Sequence, residues 1–236
     1  MEKYPVRTVV LEYDINDVRR RYMNLSTGQV YDALSENGLK GRAMEAGIYP
    51  LVPSMKVVGP AFTVHAEQTT KMDQVDVRLG MVNSMFPGCV QIRDSGGNMN
   101  AGHFGEVNAT AARSAGCSGA ILDGSTRDSN QLIEMDFPTF CRFRCPVESF
   151  GRFMVVDYMV PIHVRGVDGL LVVEPGDFLI GDNDGVVVVP KTLTLSTLDS
   201  AERRSEREEQ GRIEVAKGVS PLEVQNKIGL YPNLSI

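Results

Sequence analysis

The stretch CVQIRDSGGNMNAGHFGEVNATAARSAGCSGAILDGSTRD, residues 89–128, decides the fold of this chain. It opens with CVQIRD (89–94), which predicts a β-strand. GEVNATAARSAG (105–116) predicts a helix, because it is rich in alanine and ends in glycine. CSGAILDG (117–124) predicts a second strand, which turns at Gly124. A strand, a helix and a strand within about 35 residues form a βαβ unit, so we expect the two strands to be parallel.

The βαβ unit brings several polar segments to one edge of the sheet. In such a unit the carboxyl ends of both strands and the amino end of the helix share an edge, where α/β proteins bind ligands. The free N–H groups of the first helical turn point to that edge and form an anion site without a side-chain charge. We therefore expect four parts of the chain to converge there: Asp94, the Gly-rich loop 95–104, the helix start at 105–108, and the pair Arg127-Asp128.

Arg127 and Asp128 are suited to different tasks on one small anionic substrate. Adjacent side chains on a loop tend to diverge, so we expect these two not to pair with each other. A guanidinium is a planar fork of donors that suits a carboxylate or an enolate oxygen. A carboxylate suits Mg²⁺, which fills the rest of its shell with water and substrate oxygens. The alternative for this dipeptide is an ordinary surface turn.

The segments around this unit predict a layered α/β architecture. The first forty residues predict a helical lead-in, in which Ser26 or Thr27 caps the helix of STGQVYDALSENG and Gly38 ends it. MKVVGPAFTVHA (55–66) predicts two strands or one kinked strand, and KMDQVDVRLGMVNSM (71–85) predicts a helix. A hairpin-rich half with Pro-Gly and Asp-Gly turns should lie beside the βαβ half, built from residues 138–144, 152–164 and 170–190.

A long charged helix follows from about Leu193 and includes AERRSEREEQGRIEVAKG (201–218). Its alternating charges fit either a solvated face with i,i+4 pairs or an arm that reaches a neighbouring subunit. We therefore divide the chain into an α/β domain with its helical lead-in, residues 1–190, and a C-terminal helical arm, residues 191–236.

Composition limits the class of function. The 236 residues are 42% hydrophobic, enough for one globular domain with a core. A net charge of −6 without a basic block argues against nucleic acid as a partner. No apolar run approaches the roughly 20 residues that span a bilayer, so we expect no membrane partner. The N-terminal MEKYPVRTVVLEYD has acids and a proline where a signal peptide is apolar, which predicts a cytoplasmic protein.

The cysteines and histidines give no sign of a metal cluster. The four cysteines form no CxxC pair, and we expect them to be small buried hydrophobes. His65, His103 and His163 are far apart in the sequence, which argues against a multi-histidine zinc site. His103 is either a catalytic base or, as we favour, a loop residue held by packing and hydrogen bonds.

The run GEVNATAARSAGCSGAILDGSTRD (105–128) resembles the class II pyruvate aldolases that cleave 4-hydroxy-4-methyl-2-oxoglutarate and 4-carboxy-4-hydroxy-2-oxoadipate, in the RraA-like superfamily. STGQVYDAL (26–34), VVGPAFTVHA (57–66) and PGDFLIGDNDGVVVVP (175–190) extend the resemblance over most of residues 26–210. It implies an α/β sandwich of the swivelling β/β/α type with a long C-terminal helical arm. It also implies a homotrimer or homohexamer with sites between subunits.

The resemblance assigns roles to residues at the predicted edge. Asp128 would be the metal ligand for Mg²⁺ or Mn²⁺, and Arg127 would bind the pyruvyl part and stabilise the enolate. Glu106 would orient a metal-bound water, although its position in the first helical turn also suits the helix dipole. The substrate carboxylate would lie on the backbone of Gly105, Glu106, Val107 and Asn108.

The resemblance also implies an activity. A keto-acid substrate, a 4-hydroxy-2-oxo acid of aromatic compound degradation, would be cleaved to pyruvate and a second carbonyl compound, with oxaloacetate decarboxylation as a side activity. A glutamate from the arm of a neighbouring subunit takes part, for which Glu202 is the best match and Glu206 or Glu208 the alternatives. The rival function is that of an RraA-like protein that regulates a ribonuclease by binding, without catalysis. The long arm favours the enzyme.

Overall fold

The parallel strands of the predicted βαβ unit form the centre of the sheet. β3 (Val90–Asp94) and β4 (Ala120–Thr126) pair in parallel, with Ile92 opposite Ile121, and α4 (Glu106–Ser114) connects them. β4 does not turn at Gly124 as expected but continues to Thr126. The reason is that Asp123 is buried, 1% exposed, and its carboxylate accepts from Arg142 Nε at 2.5 Å and from the Arg165 amide at 3.0 Å.

The computed structural model describes residues 5–70 and 75–229. The predicted helix 71–85 is present as α3, and its residues 71–74 lie outside the described part. The remaining elements flank the βαβ unit. They are, in chain order, α1 (Ile15–Tyr22), α2 (Thr27–Glu36), β1 (Tyr49–Pro50), β2 (Val57–Gln68), α3 (Val75–Ser84), α5 (Ser129–Glu134), β5 (Thr139–Arg144), β6 (Phe153–Tyr158), β7 (Ile162–Gly166), β8 (Gly169–Val173), β9 (Phe178–Asp182), β10 (Gly185–Val189), a 3-10 turn (Lys191–Leu193), α6 (Thr194–Ala216) and α7 (Pro221–Ile228).

Parallel pairing extends over four strands rather than two. β2 pairs in parallel with β3 across α3, and β4 pairs in parallel with β5 across α5. The assignment of residues 138–144 to the hairpin-rich half was therefore wrong, because the short helix α5 makes them the end of another βαβ unit. Three such units in succession bring the carboxyl ends of β2, β3, β4 and β5 to the same edge.

The main sheet has eight strands in the order β1-β5-β4-β3-β2-β9-β10, with β6 also paired to β2. Within the segment 55–66, residues 57–66 belong to one strand, β2, whose first part pairs with β9 and whose later part pairs with β3 and β6. A side chain at Gly59 would lie 2.2 Å from the Gly88 carbonyl oxygen, so this crossing requires glycine. β7 and β8 form a separate two-stranded antiparallel sheet.

The layers are held by three apolar clusters. Leu122 of β4 packs in a cluster with α3, α4 and α5, while the neighbouring Ile121 faces the β7–β8 hairpin in a second cluster. The third cluster joins α1, α2 and α6 to β9 and β10. Alternate residues of a strand face opposite layers, and each large apolar side chain buried in this way contributes about 1.5–3 kcal/mol. This arrangement confirms the predicted layered α/β fold.

The helices at the two ends of the chain pack against each other. Ser26 and Gln29 form a capping box at the start of α2, as the predicted cap at Ser26 requires. In α6, Leu198 and Ala201 are buried in the third cluster, and the Tyr22 hydroxyl donates to the Thr194 carbonyl at 2.8 Å. The first half of α6 therefore shares the core of its own chain.

Three of the four cysteines are buried, as the sequence predicts. Cys89, Cys117 and Cys141 are buried free thiols and Cys145 is half-buried. Among residues 5–70 and 75–229, none of the helices combines the length and apolar character needed to cross a bilayer.

Candidate active site

A cavity of about 280 Å³ opens at the carboxyl edge of the parallel strands, close to the small end of the usual range for ligand pockets. Its wall comes from α3, the loop before α4, α4 itself, the loop after β4 and the loop after β5. The lining residues are Arg78, Gly102, Gly105, Val107, Asn108, Arg127, Asp128, Glu148, Ser149 and Phe150. The fold thus brings together most of the residues that the sequence assigned to substrate and metal.

Asp128 turns back toward the start of α4. Its backbone is left-handed, with φ 54° and ψ 39°, and its Oδ2 accepts from the Glu106 amide at 3.1 Å. The same oxygen lies 3.5 Å from Arg127 Nε. The expectation that Arg127 and Asp128 do not pair was therefore wrong, because the left-handed turn folds the carboxylate back over its neighbour.

The first helical turn of α4 is only partly available as an anion site. The Glu106 N–H already binds a carboxylate of the chain itself, which satisfies one of the free amides of the helix start. This corrects the expectation that the amides of Gly105–Asn108 are all open to substrate. Val107 and Asn108 still line the cavity, so the next two positions of the turn remain at its wall.

Two glycines permit the close approach of the loop that carries Arg127 and Asp128. A side chain at Gly105 would place its Cβ 2.3 Å from Asp128 Oδ2, and one at Gly102 would come within 2.7 Å of Arg127 Cβ. The loop is also anchored by the Arg127 amide, which donates to the Phe104 carbonyl at 2.9 Å. The Arg127-Asp128 loop is therefore packed against the start of α4 and is not an ordinary surface turn.

Asp128 is the predicted metal ligand, and its surroundings fit a largely hydrated ion. Among residues 5–70 and 75–229, no group of three or more histidine, cysteine, aspartate or glutamate side chains is arranged to hold a metal. One carboxylate at a small polar cavity, with Glu148 also in the wall, suits a cation such as Mg²⁺ that keeps several waters. The residues present therefore fit such an ion, and Asp128 is the residue that would hold it directly.

Two of the predicted catalytic carboxylates lie outside the cavity wall. The Glu106 side chain is exposed, although its amide binds Asp128. Glu202 lies on α6, where it binds Arg21 through Nε at 2.9 Å and Nη2 at 2.5 Å. Of its alternatives, Glu208 binds Arg204 and Gln29, and Glu206 is exposed. Within one chain the structure does not bring Glu202 to Arg127.

His103 is buried beneath the loop and does not belong to the cavity wall. It is 2% exposed, its Nε2 lies 3.2 Å from Asn98 Oδ1, and its ring meets Phe153 edge-on at 4.7 Å. Burial, with the charge of Arg93, lowers the pKa of His103 to about 4, so the ring is neutral at pH 7. These contacts favour the packing role that we preferred from the sequence.

Four further residues of the wall were not predicted from the sequence: Arg78, Glu148, Ser149 and Phe150. Arg78 lies on the helix of the β2–α3–β3 unit, and residues 145–152 follow β5 at the shared edge. A signal was present in both cases, because 71–85 was predicted as a helix and SNQLIE (129–134) follows Asp128 as a short helical segment. Treating both as crossover helices would have placed these residues at the edge.

Comparisons with known proteins give the relatives of this chain. Residues 27–188 match the model of the RraA-like family, described as Aldolase/RraA. A protein of Halalkalibacterium halodurans is 28% identical over 217 residues, covering 92% of this chain and 97% of its own length. A protein of Halorhodospira halophila is 32% identical over 174 residues, covering 73% of this chain and 100% of its own length. Both carry, provisionally, the name 4-hydroxy-4-methyl-2-oxoglutarate aldolase.

A solved structure shares this fold. The crystal structure of RraAS2 from Streptomyces coelicolor, titled an unusual member of the RNase ES inhibitor RraA protein family, superposes with a TM-score of 0.74 at 25% identity. The match covers 86% of this chain and 100% of that one.

Proposed function

Because this chain belongs to the RraA-like family, we propose that the cavity at Arg127 and Asp128 is the active site of a metal-dependent carbon–carbon lyase. Its substrate is a 4-hydroxy-2-oxo acid such as 4-hydroxy-4-methyl-2-oxoglutarate, and its products are pyruvate and a second carbonyl compound. The names of the two relatives support this substrate class. The observation that carries the proposal is the packed Arg127-Asp128 loop in the wall of a small cavity at the strand edge.

Arg127 binds the pyruvyl half of the substrate. Cleavage of the C3–C4 bond leaves its electron pair on the pyruvyl half, which becomes an enolate. A fixed guanidinium at the developing oxygen anion lowers the barrier, because it is oriented before the charge forms. Asp128 holds the guanidinium from one side at 3.5 Å, so its remaining donors are directed by the packed loop rather than by flexible solvent contacts.

Asp128 also holds the divalent cation, for which Mg²⁺ and Mn²⁺ are the expected ions. The bound cation supplies a Lewis acid for the 2-oxo group of the substrate. Oδ2 of Asp128 is engaged by Glu106 and Arg127, which keeps the carboxylate in one orientation toward the cavity.

A base must remove the proton of the C4 hydroxyl as the bond breaks. Glu148 is the carboxylate in the cavity wall besides Asp128, so it is placed to act directly or through a water. Glu106, at the rim of the same helix start, and Glu202 from a neighbouring subunit orient water in the assembled protein. After cleavage, a proton returned to C3 of the enolate completes pyruvate.

Oxaloacetate decarboxylation follows from the same arrangement. Loss of CO₂ from oxaloacetate also leaves pyruvate enolate, so the groups that stabilise one reaction stabilise the other. The expected side activity is therefore a property of Arg127 and the metal and does not depend on the base for the C4 hydroxyl.

The test is pyruvate release, coupled to lactate dehydrogenase, from 4-hydroxy-4-methyl-2-oxoglutarate and oxaloacetate. We expect pyruvate from both with Mg²⁺ or Mn²⁺, loss of activity with EDTA, and loss of turnover in Arg127→Ala. Asp128→Ala should lose both activity and its response to metal. Near wild-type activity in Arg127→Ala would contradict the assignment.

A second function is favoured by the likeness to RraAS2. An RraA-like regulator would bind a ribonuclease and inhibit it without using the cavity. If the protein releases no pyruvate with any metal and inhibits a ribonuclease, the regulatory function is supported over the lyase.

A further inference from the structure

Arg78 is a cation of the cavity wall that has no anionic partner in the part of the chain that the structure describes. It lies on α3, across the sheet edge from the loop that carries Arg127. Its side chain is exposed, and no carboxylate among residues 5–70 and 75–229 lies within ion-pair distance of it. Glu148 lines the same cavity but forms no recorded ion pair with it.

The other arginine of the wall differs in this respect. Arg127 lies 3.5 Å from Asp128, so part of its charge is already balanced within the protein. Some arginines on the outer surface also have partners, such as Arg20 with Asp17 at 2.5 Å and Arg212 with Glu209 at 2.5 Å. Other exposed arginines, such as Arg165 and Arg203, bind only neutral groups, so what distinguishes Arg78 is its position in the cavity wall.

A second cation behind the cavity makes this arrangement unfavourable without an anion. Arg93 is 4% exposed, its Nε has no hydrogen-bond partner among the described residues, and its Nη1 donates to the His103 carbonyl. Burial, and after it the charge of Arg78, lowers the pKa of Arg93 to about 9. The two guanidinium groups therefore repel each other, and an anion bound at Arg78 relieves the repulsion.

The wall around Arg78 and Arg127 suits a short chain with charge at both ends. Val107 and Phe150, exposed by 79% and 43%, supply the apolar surface at the wall, and Asn108 and Ser149 supply neutral polar groups. A monoacid bound at Arg127 leaves Arg78 without an anionic partner. A diacid can pair with Arg127 at one end and with Arg78 at the other. Binding of a diacid therefore has a contribution that a monoacid of equal length lacks.

We propose that Arg78 binds the distal carboxylate of the substrate, so that the site selects 4-hydroxy-2-oxo diacids over the corresponding monoacids. This specificity role rests on the proposed function, because it takes the pyruvyl end of the substrate to lie at Arg127. It assigns the two arginines of the wall to opposite ends of one molecule.

The experiment measures binding without turnover. 2-Oxoglutarate and 2-oxopentanoate share the 2-oxo acid end and the five-carbon chain, and they differ in a terminal carboxylate or methyl group. Neither has a C4 hydroxyl, so neither is cleaved. Isothermal titration of the full chain with Mg²⁺ should give tighter binding of 2-oxoglutarate by about tenfold to a hundredfold, the size of a charge-assisted hydrogen-bonded pair.

Arg78→Gln should remove this preference by weakening 2-oxoglutarate alone, and Arg78→Lys should retain most of it. Two controls each remove one positive charge: Arg20→Gln on the outer surface, and Arg152→Gln in the wall of a neighbouring cavity of about 790 Å³. Both should keep the preference.

Equal binding of the two acids by the wild type, an unchanged preference in Arg78→Gln, or loss of the preference in Arg152→Gln would overturn the proposal. A preference that depends on Arg78 without any pyruvate release would instead refute the lyase and retain the diacid site.

Discussion

At the scale of single residues, the site depends on carboxylates that differ in what surrounds them. Asp123 is buried and neutralised by Arg142, Asp128 is half-buried and bound to the start of α4, and Glu148 lies in the cavity wall. A buried paired carboxylate is held by the fold and is not available to a substrate. We therefore propose that Asp128 and Glu148, which line the cavity, take part in the chemistry.

Glu148→Gln should lower kcat by about a hundredfold or more with a smaller effect on KM, because the amide keeps the shape of the side chain but does not take up a proton. Steady-state pyruvate release from 4-hydroxy-4-methyl-2-oxoglutarate measures this. Oxaloacetate decarboxylation serves as the internal control, since it requires no base for a C4 hydroxyl and should persist. Glu106→Gln is the matched variant, and a larger loss there than in Glu148→Gln would return the role to Glu106.

His103 predicts a pH dependence of stability. Its folded pKa of about 4 lies below the unfolded value near 6.5, so the unfolded chain takes up the proton first as the pH falls. The free energy of unfolding is therefore unaffected by protonation of His103 above about pH 6.5 and falls toward pH 4, by up to about 3 kcal/mol. Urea denaturation across this range should show a shallower loss in His103→Gln than in the wild type. If the free energy of unfolding of the two proteins fell equally with pH, the prediction that His103 is buried in its neutral form would be wrong.

At the scale of elements, close contact between α4 and the loop after β4 creates the site. The loop carries the cation and the carboxylate, and the helix start supplies the amide that orients Asp128. The contact depends on the absence of a side chain at Gly105, whose backbone is extended, with φ −153°, so the reason for glycine is space rather than backbone strain.

Gly105→Ala should separate the two elements, because its Cβ would lie 2.3 Å from Asp128 Oδ2. We expect at least a tenfold loss of kcat and a loss of stability of about 1–3 kcal/mol, the usual cost of overpacking. Gly28→Ala is the control, since its nearest neighbour, Ser26 Oγ, would be 3.8 Å from the new methyl group. That variant should keep full activity. Full activity in Gly105→Ala would show that Asp128 does not need its present contact with α4.

At the scale of the whole molecule, the cavity of one chain lacks, among the described residues, the arm glutamate that the family resemblance implies. Val107 and Phe150 leave apolar surface exposed at the cavity, and Glu202 of α6 binds Arg21 and does not line the cavity. The family resemblance implies a homotrimer or homohexamer, and we propose that α6 of one subunit lies near the cavity of another. Light scattering coupled to size-exclusion chromatography should give one of these two masses.

Glu202→Gln tests the contribution of a neighbouring subunit. The ion pair with Arg21 holds this carboxylate in one orientation, as a preorganised group requires. We expect kcat to fall about a hundredfold while the oligomeric mass is unchanged. Glu206→Gln and Glu208→Gln are the matched controls and should stay within about twofold of wild type. If one of them loses activity in place of Glu202→Gln, the arm carboxylate is that residue.

Residues close together in sequence were the ones whose structure the sequence predicted. The alanine-rich helix, the apolar strands on either side and the cap at Ser26 follow from local composition, and together they determine the layered α/β fold. They also place Gly105, Arg127 and Asp128 at one edge, because the two parallel strands of a βαβ unit have their carboxyl ends at the same edge of the sheet.

Tertiary structure decided what depends on contacts between distant segments. Arg78 and Glu148 enter the cavity because α3 and α5 are crossover helices, and that is known only once β2, β3, β4 and β5 are seen to pair in parallel. Likewise, the left-handed turn at Asp128 depends on packing against α4. By itself the sequence predicted the fold class and the position of Arg127 and Asp128 at the sheet edge. The residues that line the cavity could be identified only from the strand order, because the local sequence does not indicate which strands are hydrogen-bonded to each other.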